Sequence, residues 1–561
     1  MTMKRREFLR TALSGGAAAI GGAPFVLRST RAAAGRSQIA DSRIEVLIGE
    51  PIGRIAPELY GHFVEHLGGV VYGGIWVGED SKIPNIRGMR KSLVEALQRI
   101  KPSVIRWPGG CFADSYDWRD GIGPRANRPR RTNFWRGASE WPKGAPDTPW
   151  KYETNQFGTN EFARFCKLVG AQPYFAANLR SLNARDFYQW VEYCNAPPAS
   201  TTLAEMREAA GDREPFSVKY WGVGNESWGC GGNFTPEEYA SEYRRFTEWL
   251  PGFSVDLACI GAGPGGGEVE WTRRFFSKLA ERRAIGRMWG WALHHYSWNV
   301  SGGRTGDWVK GKGDAVKYPV EEWYELLREA EQIEGLITSH WTAMGEFDRQ
   351  HHVKLVVDEW GSWYRPGSEV DPTHLFGQQS TMRDAVLAGQ TLNAFHRHAE
   401  KVGLASIAQL ANCLQSLFLT HEEALLLTPT FHVFEMYAPH QGGQSLRTVV
   451  SSPRPSYTRN GQPASVQGLD GSASLQGRQL VLTVTNADAA QSRKAEITIR
   501  GGSPKEANIT VLAASDIHAH NTFETPDAVK PRRAQAEGVR GSGLVFEFPA
   551  ASVTRLSIEL A

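Results

Sequence analysis

The chain has 561 residues, 41% of them hydrophobic, so it exceeds one ordinary domain and can bury a sizeable core. A formal net charge of +3 with 22% charged residues supplies no field strong enough to argue for a nucleic-acid partner. Outside the N-terminal segment no run approaches the roughly 18 apolar residues of a spanning helix, so no membrane crossing is expected.

In chain order, residues 1–34 read as a processing segment and not as part of the fold. Lys4-Arg5-Arg6-Glu7-Phe8-Leu9 leads into an Ala/Gly-rich stretch from Thr11 to Pro24, then Arg28, Arg31 and the A-x-A-like Ala32-Ala33-Ala34. Paired arginines ahead of a weakly apolar centre resemble a twin-arginine signal, which predicts export in the folded state to the periplasm or beyond. The alternative is the basic amphipathic start of a cytosolic protein. The run RIEVLIGEPIGRI that follows is strand-like.

From Ile55 to Leu427 short apolar runs alternate with amphipathic helical patterns. The runs are LYGHF, SVIRWPGG, AQPYFAANL, VKYWGVGNE, VDLACIGAG, RMWGWALHHYS, VKLVVDEW and LASIAQLAN. Segments such as GMRKSLVEALQRI and TPEEYASEYRRFTEWL lie between them with apolar residues at helical spacing. Eight such units predict an α/β fold, a parallel (β/α)8 TIM barrel, with a doubly wound sheet as the lesser alternative. Beyond Thr428 the texture changes. RQLVLTVTNAD, KAEITIR, ANITVLAAS and GLVFEFPAASVTRLSIEL alternate apolar and polar residues between Gly, Asn and Pro turns, the pattern of an antiparallel, jelly-roll-like β-sandwich. The expected division is 1–34 signal, 35–54 a strand segment joining the sandwich, 55–427 the catalytic barrel and 428–561 the sandwich. The polar stretch around Ser451 to Ser465 is expected to be flexible.

Ligand chemistry in a barrel of this kind sits at the C-terminal ends of the strands. Glu226 ends the fourth run and Glu359 the seventh, so both carboxylates face one mouth, each beside Trp and Gly. Alone, either would be a solvated or structural residue. As a pair they are what glycoside hydrolysis needs, one to protonate the leaving oxygen and later activate water, the other to attack the anomeric carbon. In that reading Glu359 is ionised when it attacks, Glu226 carries the proton, and retention calls for carboxyls about 5 to 5.5 Å apart. The 19 tryptophans agree, since indoles stack on sugar rings, although core packing accounts for most of them.

The ordered set YGHFVEHLGGVVYGGIWVG, RWPGGCFADSYDWRDGIGP, WGVGNESWGCGGNFTPEEYA, VVDEWGSWY, LTPTFHVFEMYAPHQG and DIHAHNTFETPDAV resembles glycoside hydrolase family 51, the α-L-arabinofuranosidases, from about residue 45 onward. The resemblance implies a retaining barrel glycosidase with a β-sandwich, free of cofactor and metal, often assembled as a hexamer and acting on arabinofuranosyl polysaccharides or oligosaccharides. By position it implies Glu226 as acid/base and Glu359 as nucleophile. Asn225 is then the partner of the sugar 2-hydroxyl, Glu65 and Arg106 substrate-binding residues, His294 and Tyr296 supports of nucleophile and sugar, and Trp363 and Gln409 an aromatic wall and an eighth-strand contact. The bland alternatives are core packing for Trp363 and Tyr296 and buried polar roles for Gln409 and His294. One departure stands out. Many members place Asn after PGG, where this chain has Cys111, a poor hydrogen-bond partner, so the sugar preference within furanosides is left open.

Other motifs read more blandly. The six cysteines show no metal-like spacing, and Cys111 and Cys230 lie in Gly-rich loops where a disulfide is feasible, although sequence does not show that they meet. GAGPGG from Gly261 to Gly266 fits a dinucleotide-binding pattern, yet Pro264 intrudes and a barrel loop explains it. Adjacent His294-His295 and His351-His352 point to opposite faces and do not chelate readily. The basic segment Arg125 to Gly137 reads as a solvated insertion that can rim the pocket. A non-catalytic carbohydrate-binding protein is the rival from another class, and the presence of both glutamates argues against it.

Overall fold

A computed structural model describes residues 40–145, 151–300, 307, 308 and 310–561. Eight parallel strands close into a barrel: β2 (Gly61–Phe63), β3 (Val104–Trp107), β4 (Gln172–Ala177), β5 (Tyr220–Val223), β6 (Ala258–Gly261), β7 (Gly290–Ser297), β8 (Lys354–Ser362) and β9 (Val402–Ala408). They neighbour one another in sequence order, with β9 pairing back onto β2 through Ser406 and Gly61. A helix follows each strand: α1 (Lys91–Ile100), α2 (Thr159–Val169), α3 (Ala184–Asn195), α4 (Pro236–Thr247), α5 (Val269–Ala280), α6 (Val320–Gly345), α7 (Met382–Arg397) and α8 (Pro429–Tyr437). Their starts are written locally. Thr235 ahead of α4 accepts from Glu238 N while Glu238 accepts from Thr235 N, and Pro236 occupies the first turn, where a missing N–H costs nothing. Thr381 and Asp384 repeat the reciprocal cap at α7.

Val104, Tyr174, Tyr220, Ile260, Ala292, Val356 and Leu404, one from each of β3 to β9, form a buried apolar cluster at the barrel axis. Side chains two residues further along a strand point the same way. Arg106, His294 and Asp358 are therefore stacked above Val104, Ala292 and Val356, and a charged layer caps the apolar one. A register shift in β8 adds to it. Ala292 pairs with Val356 but His294 pairs with Glu359, so one extra residue of β8 is taken up between them and Glu359 joins Asp358 at the mouth.

The second layer is a sheet that, among the described residues, has ten strands. β1 (Ser42–Arg54) lies inside it with β10 (Gln444–Ser451), β11 (Leu469–Gln476), β12 (Gln479–Asn486), β13 (Arg493–Arg500), β14 (Pro504–Ala513), β15 (Arg532–Ala534), β16 (Glu537–Arg540), β17 (Gly543–Phe548) and β18 (Ser552–Leu560), in the order β15-β14-β18-β12-β11-β10-β1-β13-β17-β16. Ile44, Val46, Leu482, Ile497, Leu544 and Leu556 are among its core residues. The pairing is antiparallel except that β1 runs parallel to β13, which a strand arriving from far upstream can do without a hairpin. The stretch expected to be flexible contains a hairpin, Ser456–Arg459 with Gln462–Ser465, because Asn460-Gly461 supplies the two positive φ angles, 52° and 76°, of a tight turn. Among the described residues no helix is long and apolar enough to cross a membrane.

Candidate active site

At the C-terminal mouth of the barrel lies a cavity of about 670 Å³. Glu65, Cys111, Asn225, Glu226, His294, Tyr296, Glu359, Trp363 and Gln409 all line it, and Arg106 is fully buried directly behind. The strand ends explain this convergence. β5 stops at Val223, Gly224 turns the chain at φ 87°, and Glu226 itself sits at φ 37° in the left-handed region that non-glycine residues seldom enter. The loop then folds back tightly, with Gly229 N and Gly231 N both donating to Glu226 O. A Cβ on Gly231 would stand 1.7 Å from Asn225 O, so the glycines of this loop are what let it close.

Around the two glutamates the polar contacts are dense. Glu359 Oε1 accepts from Arg106 Nη1 at 2.8 Å and Oε2 from Tyr296 OH at 2.8 Å. His294 Nδ1 lies 3.0 Å from Glu226 Oε1 and 3.3 Å from Glu359 Oε2, so one imidazole edge spans both carboxylates. Oxygens of Glu226 and Glu359 stand within 4.8 Å of each other. Arg106 also donates to Asn225 Oδ1 at 2.6 Å, which fixes the amide beside the sugar position. Glu65 accepts from Trp135 Nε1 at 2.8 Å and from Phe112 N at 3.1 Å, and Gln409 Oε1 accepts from Glu65 N at 2.8 Å.

Electrostatics follow from this packing. Burial works against a charged His294, but Glu359, Asp358 and Glu226 outweigh it and push its pKa up to about 10. Burial, reinforced by the negative Glu359, lifts Glu65 to about 8. Glu359 is raised by burial, with Glu226 and Asp358 pushing the same way and His294 and Arg106 pulling against them. Burial would also raise Asp358, but Arg106, His294 and Tyr174 OH hold it below its usual range.

Several residues at the site escaped the sequence reading. Asp358 touches Tyr174 OH at 2.8 Å, Arg106 Nε at 3.3 Å and His294 Nε2 at 3.2 Å, and orients both cations. Asp114 accepts from Asn225 N at 3.1 Å and from Leu179 N at 2.7 Å, tying three strand ends together. Trp135 comes from the basic insertion and walls the pocket, while Arg128 and Arg131 of that insertion are engaged by Glu161 and Asp120. Cys111 and Cys230 are joined in a disulfide, Cα atoms 5.6 Å apart, and both sulfurs lie against Glu226 Oε2 at 3.9 and 3.6 Å. The GAGPGG segment runs along the pocket and Gly265 packs on the Trp228 ring; helix α5 begins only at Val269, too far on for a phosphate-binding turn. Among the described residues, the groups able to approach a cation are Glu226, His294 and Glu359, the last already engaged with Arg106 and Tyr296, and Cys111, Glu226 and Cys230.

Residues 96–265 match the family model described as the alpha-L-arabinofuranosidase 1 domain, and residues 358–552 the alpha-L-arabinofuranosidase C-terminal domain. A protein of Bacteroides ovatus named intracellular exo-alpha-L-arabinofuranosidase is 34% identical over 508 residues, covering 90% of this chain and 93% of that one. One of Bifidobacterium longum, named intracellular exo-alpha-(1->5)-L-arabinofuranosidase, is 26% identical over 86% of each chain. The crystal structure of the GH51 arabinofuranosidase from Xanthomonas axonopodis pv. citri superposes with a TM-score of 0.84 at 34% identity, covering 93% of this chain and all of that one. The word intracellular in the first two names overturns the expected periplasmic or secreted location: a basic start with a weakly apolar Ala/Gly centre does not by itself specify export. The twin-arginine reading falls on residues 1–34, outside the described residues.

Proposed function

The chain belongs to the α-L-arabinofuranosidases of glycoside hydrolase family 51, and from that membership we propose that it is a retaining exo-glycosidase acting inside the cell. It removes terminal non-reducing α-L-arabinofuranosyl groups from arabinan- or arabinoxylan-derived chains. The observation that carries this reading is the pair of carboxylates at the ends of β5 and β8, with oxygens within 4.8 Å, spanned by His294 and opening into one cavity. An approach this close favours the shorter separation of double displacement over the roughly 6.5 to 9.5 Å of an inverting pair.

In the free site the charges of Arg106 and His294 balance Asp358 and Glu359, and Glu226 is given the part of the acid. Glu359 attacks the anomeric carbon as Glu226 gives its proton to the departing oxygen. Once Glu359 is an ester its charge is gone, so Glu226 can take a proton from water, and that water releases the sugar and restores both groups. Asn225, held by Arg106 and Asp114, meets the 2-hydroxyl; Glu65 and Gln409 hold further hydroxyls; Trp135 and Trp363 wall the ring. In the disulfide form Cys111 offers no donor, so the hydroxyl that Asn binds in many relatives is then met by packing alone. Assembly into several copies, hexameric by resemblance, belongs to the same proposal and is read from the mass in light scattering.

Initial rates on aryl α-L-arabinofuranoside, β-D-galactofuranoside, β-D-xylopyranoside and β-cellobioside test the whole. The first should dominate and vanish in Glu359→Ala. Glu226→Ala should keep its glycosylation step on good leaving groups and regain turnover with azide. Dominance of another sugar would keep the two-glutamate chemistry and move the specificity, and absence of turnover would return the binding-protein reading.

A further inference from the structure

The sulfurs of Cys111 and Cys230 stand 3.9 and 3.6 Å from the same oxygen, Oε2 of Glu226, and these three ligand atoms all fall within 4.8 Å of one another. The two sulfurs come from different loops, one after β3 and one after β5, and the proposed mechanism gives neither sulfur a part. A tetrahedral zinc centre has metal–sulfur bonds of about 2.3 Å and metal–oxygen bonds of about 2.0 to 2.2 Å, which sets sulfur and oxygen about 3.5 to 3.6 Å apart. The carboxylate is thus already at that spacing from the Cys230 sulfur, at 3.6 Å, and close to it from that of Cys111, at 3.9 Å. Only the sulfurs have to separate, to about 3.8 Å in such a centre, and Cα atoms 5.6 Å apart allow that by side-chain rotation. Cys111 and Glu226 line the cavity, so an ion has a path in and solvent has the fourth position.

We propose that, when the Cys111–Cys230 bond is reduced, Cys111, Cys230 and Glu226 form a site for a thiophilic divalent cation such as zinc or cadmium, and that filling it silences the enzyme. The redox step balances with a dithiol reductant. Its two sulfurs join in a disulfide, the Cys111–Cys230 bond breaks, and two electrons and two protons leave two thiols. Metal binding then sends both thiol protons to solvent. The intracellular setting proposed above is one in which disulfides rarely persist, so the open pair is the form met there. Silencing rests on the acid/base role given to Glu226, since an oxygen bound to metal can neither hold nor return the proton; the metal site itself does not rest on that role.

The test uses the full chain, reduced with a phosphine, desalted without oxygen and titrated with zinc by calorimetry and with cadmium by its thiolate-to-metal ultraviolet absorption. The oxidised chain and Cys230→Ser serve as comparisons, and the rate on aryl α-L-arabinofuranoside is followed in parallel. The expected result is one ion per reduced chain, a rate at least tenfold lower at saturation and restored by EDTA, and neither effect in the oxidised chain. Absence of binding to the reduced chain, or equal binding by the oxidised chain or Cys230→Ser, overturns the site. A bound ion with an unchanged rate overturns the silencing, and with it the acid/base role of Glu226, while leaving the site in place.

Discussion

Glu65 carries its proton for a physical reason: its carboxyl is cut off from water and faces the negative Glu359, so the charged form is disfavoured up to about pH 8. A carboxyl that ionises at about 4.5 in the unfolded chain and at about 8 in the folded one destabilises the fold as pH rises between those values, on the order of 5 kcal/mol in all. His294 acts in a later window. Its folded value of about 10 lies above its usual 6.5, so its contribution is complete below pH 6.5 and is lost as pH climbs to 10. Buried His62, His374 and His440, pushed down to about 3, 4 and 3 by burial, add stability up to pH 6.5, so the two opposing contributions are read from variants and not from the parent curve alone. In Glu65→Gln, which keeps an acceptor for Trp135 and Phe112, the melting point should gain on that of the parent as pH rises from 5 to 8; a difference that does not change with pH would show that Glu65 is not buried as the acid. At this scale the two glutamates were legible because strand ends of a barrel announce themselves. Asp358 was not, because the extra residue of β8 lies in the register with β7, and register is a property of two strands and not of VVDEW alone. The Cys111–Cys230 bond was named as feasible in the sequence and is formed, but its two loops are 119 residues apart, so sequence did not show that they meet.

Among the elements, the β5 loop carries the largest cost of local change. Alanine at Gly231 would drive its Cβ into Asn225 O, and relief requires the peptide that sets Asn225 and Glu226 to shift. We expect Gly231→Ala to lower kcat on aryl arabinofuranoside by about 10²-fold, as displacements of about 1 Å do at catalytic groups; equal rates would place the loop outside the chemistry. The strand and helix pattern of the barrel was readable because each unit repeats a period-2 run and a capped helical run, as in β5 followed by Thr235 and α4. The hairpin at Asn460-Gly461 was missed since its strands are four residues long and polar, so the Asn-Gly turn, and no apolar periodicity, was the available signal.

The barrel and the sheet share their buried surface through α7. Every residue from Met382 to His396 is buried, and its polar members find partners in the sheet: Asn393 donates to Asp470 at 2.9 Å and His396 lies 2.8 Å from Ser472 Oγ. Trp323 of α6 donates to Ala487 O at 2.8 Å. A barrel cut off near residue 443 would expose these groups unpaired, each at about 1 to 3 kcal/mol, along with an apolar face. The prediction is one cooperative calorimetric transition for the whole chain and no soluble folded barrel from residues 40–443; two separate transitions would mean that the layers are energetically independent. β1 gives this union a timetable. It is made about 400 residues before β10 and β13, the strands that flank it. At about 5 to 20 residues per second it waits some 20 to 80 s on the ribosome as an alternating strand with both edges open. Nascent chains halted ahead of Gln444 are therefore where this protein is most prone to stick to its neighbours, and whatever shields β1 during that interval sets the yield of folded enzyme.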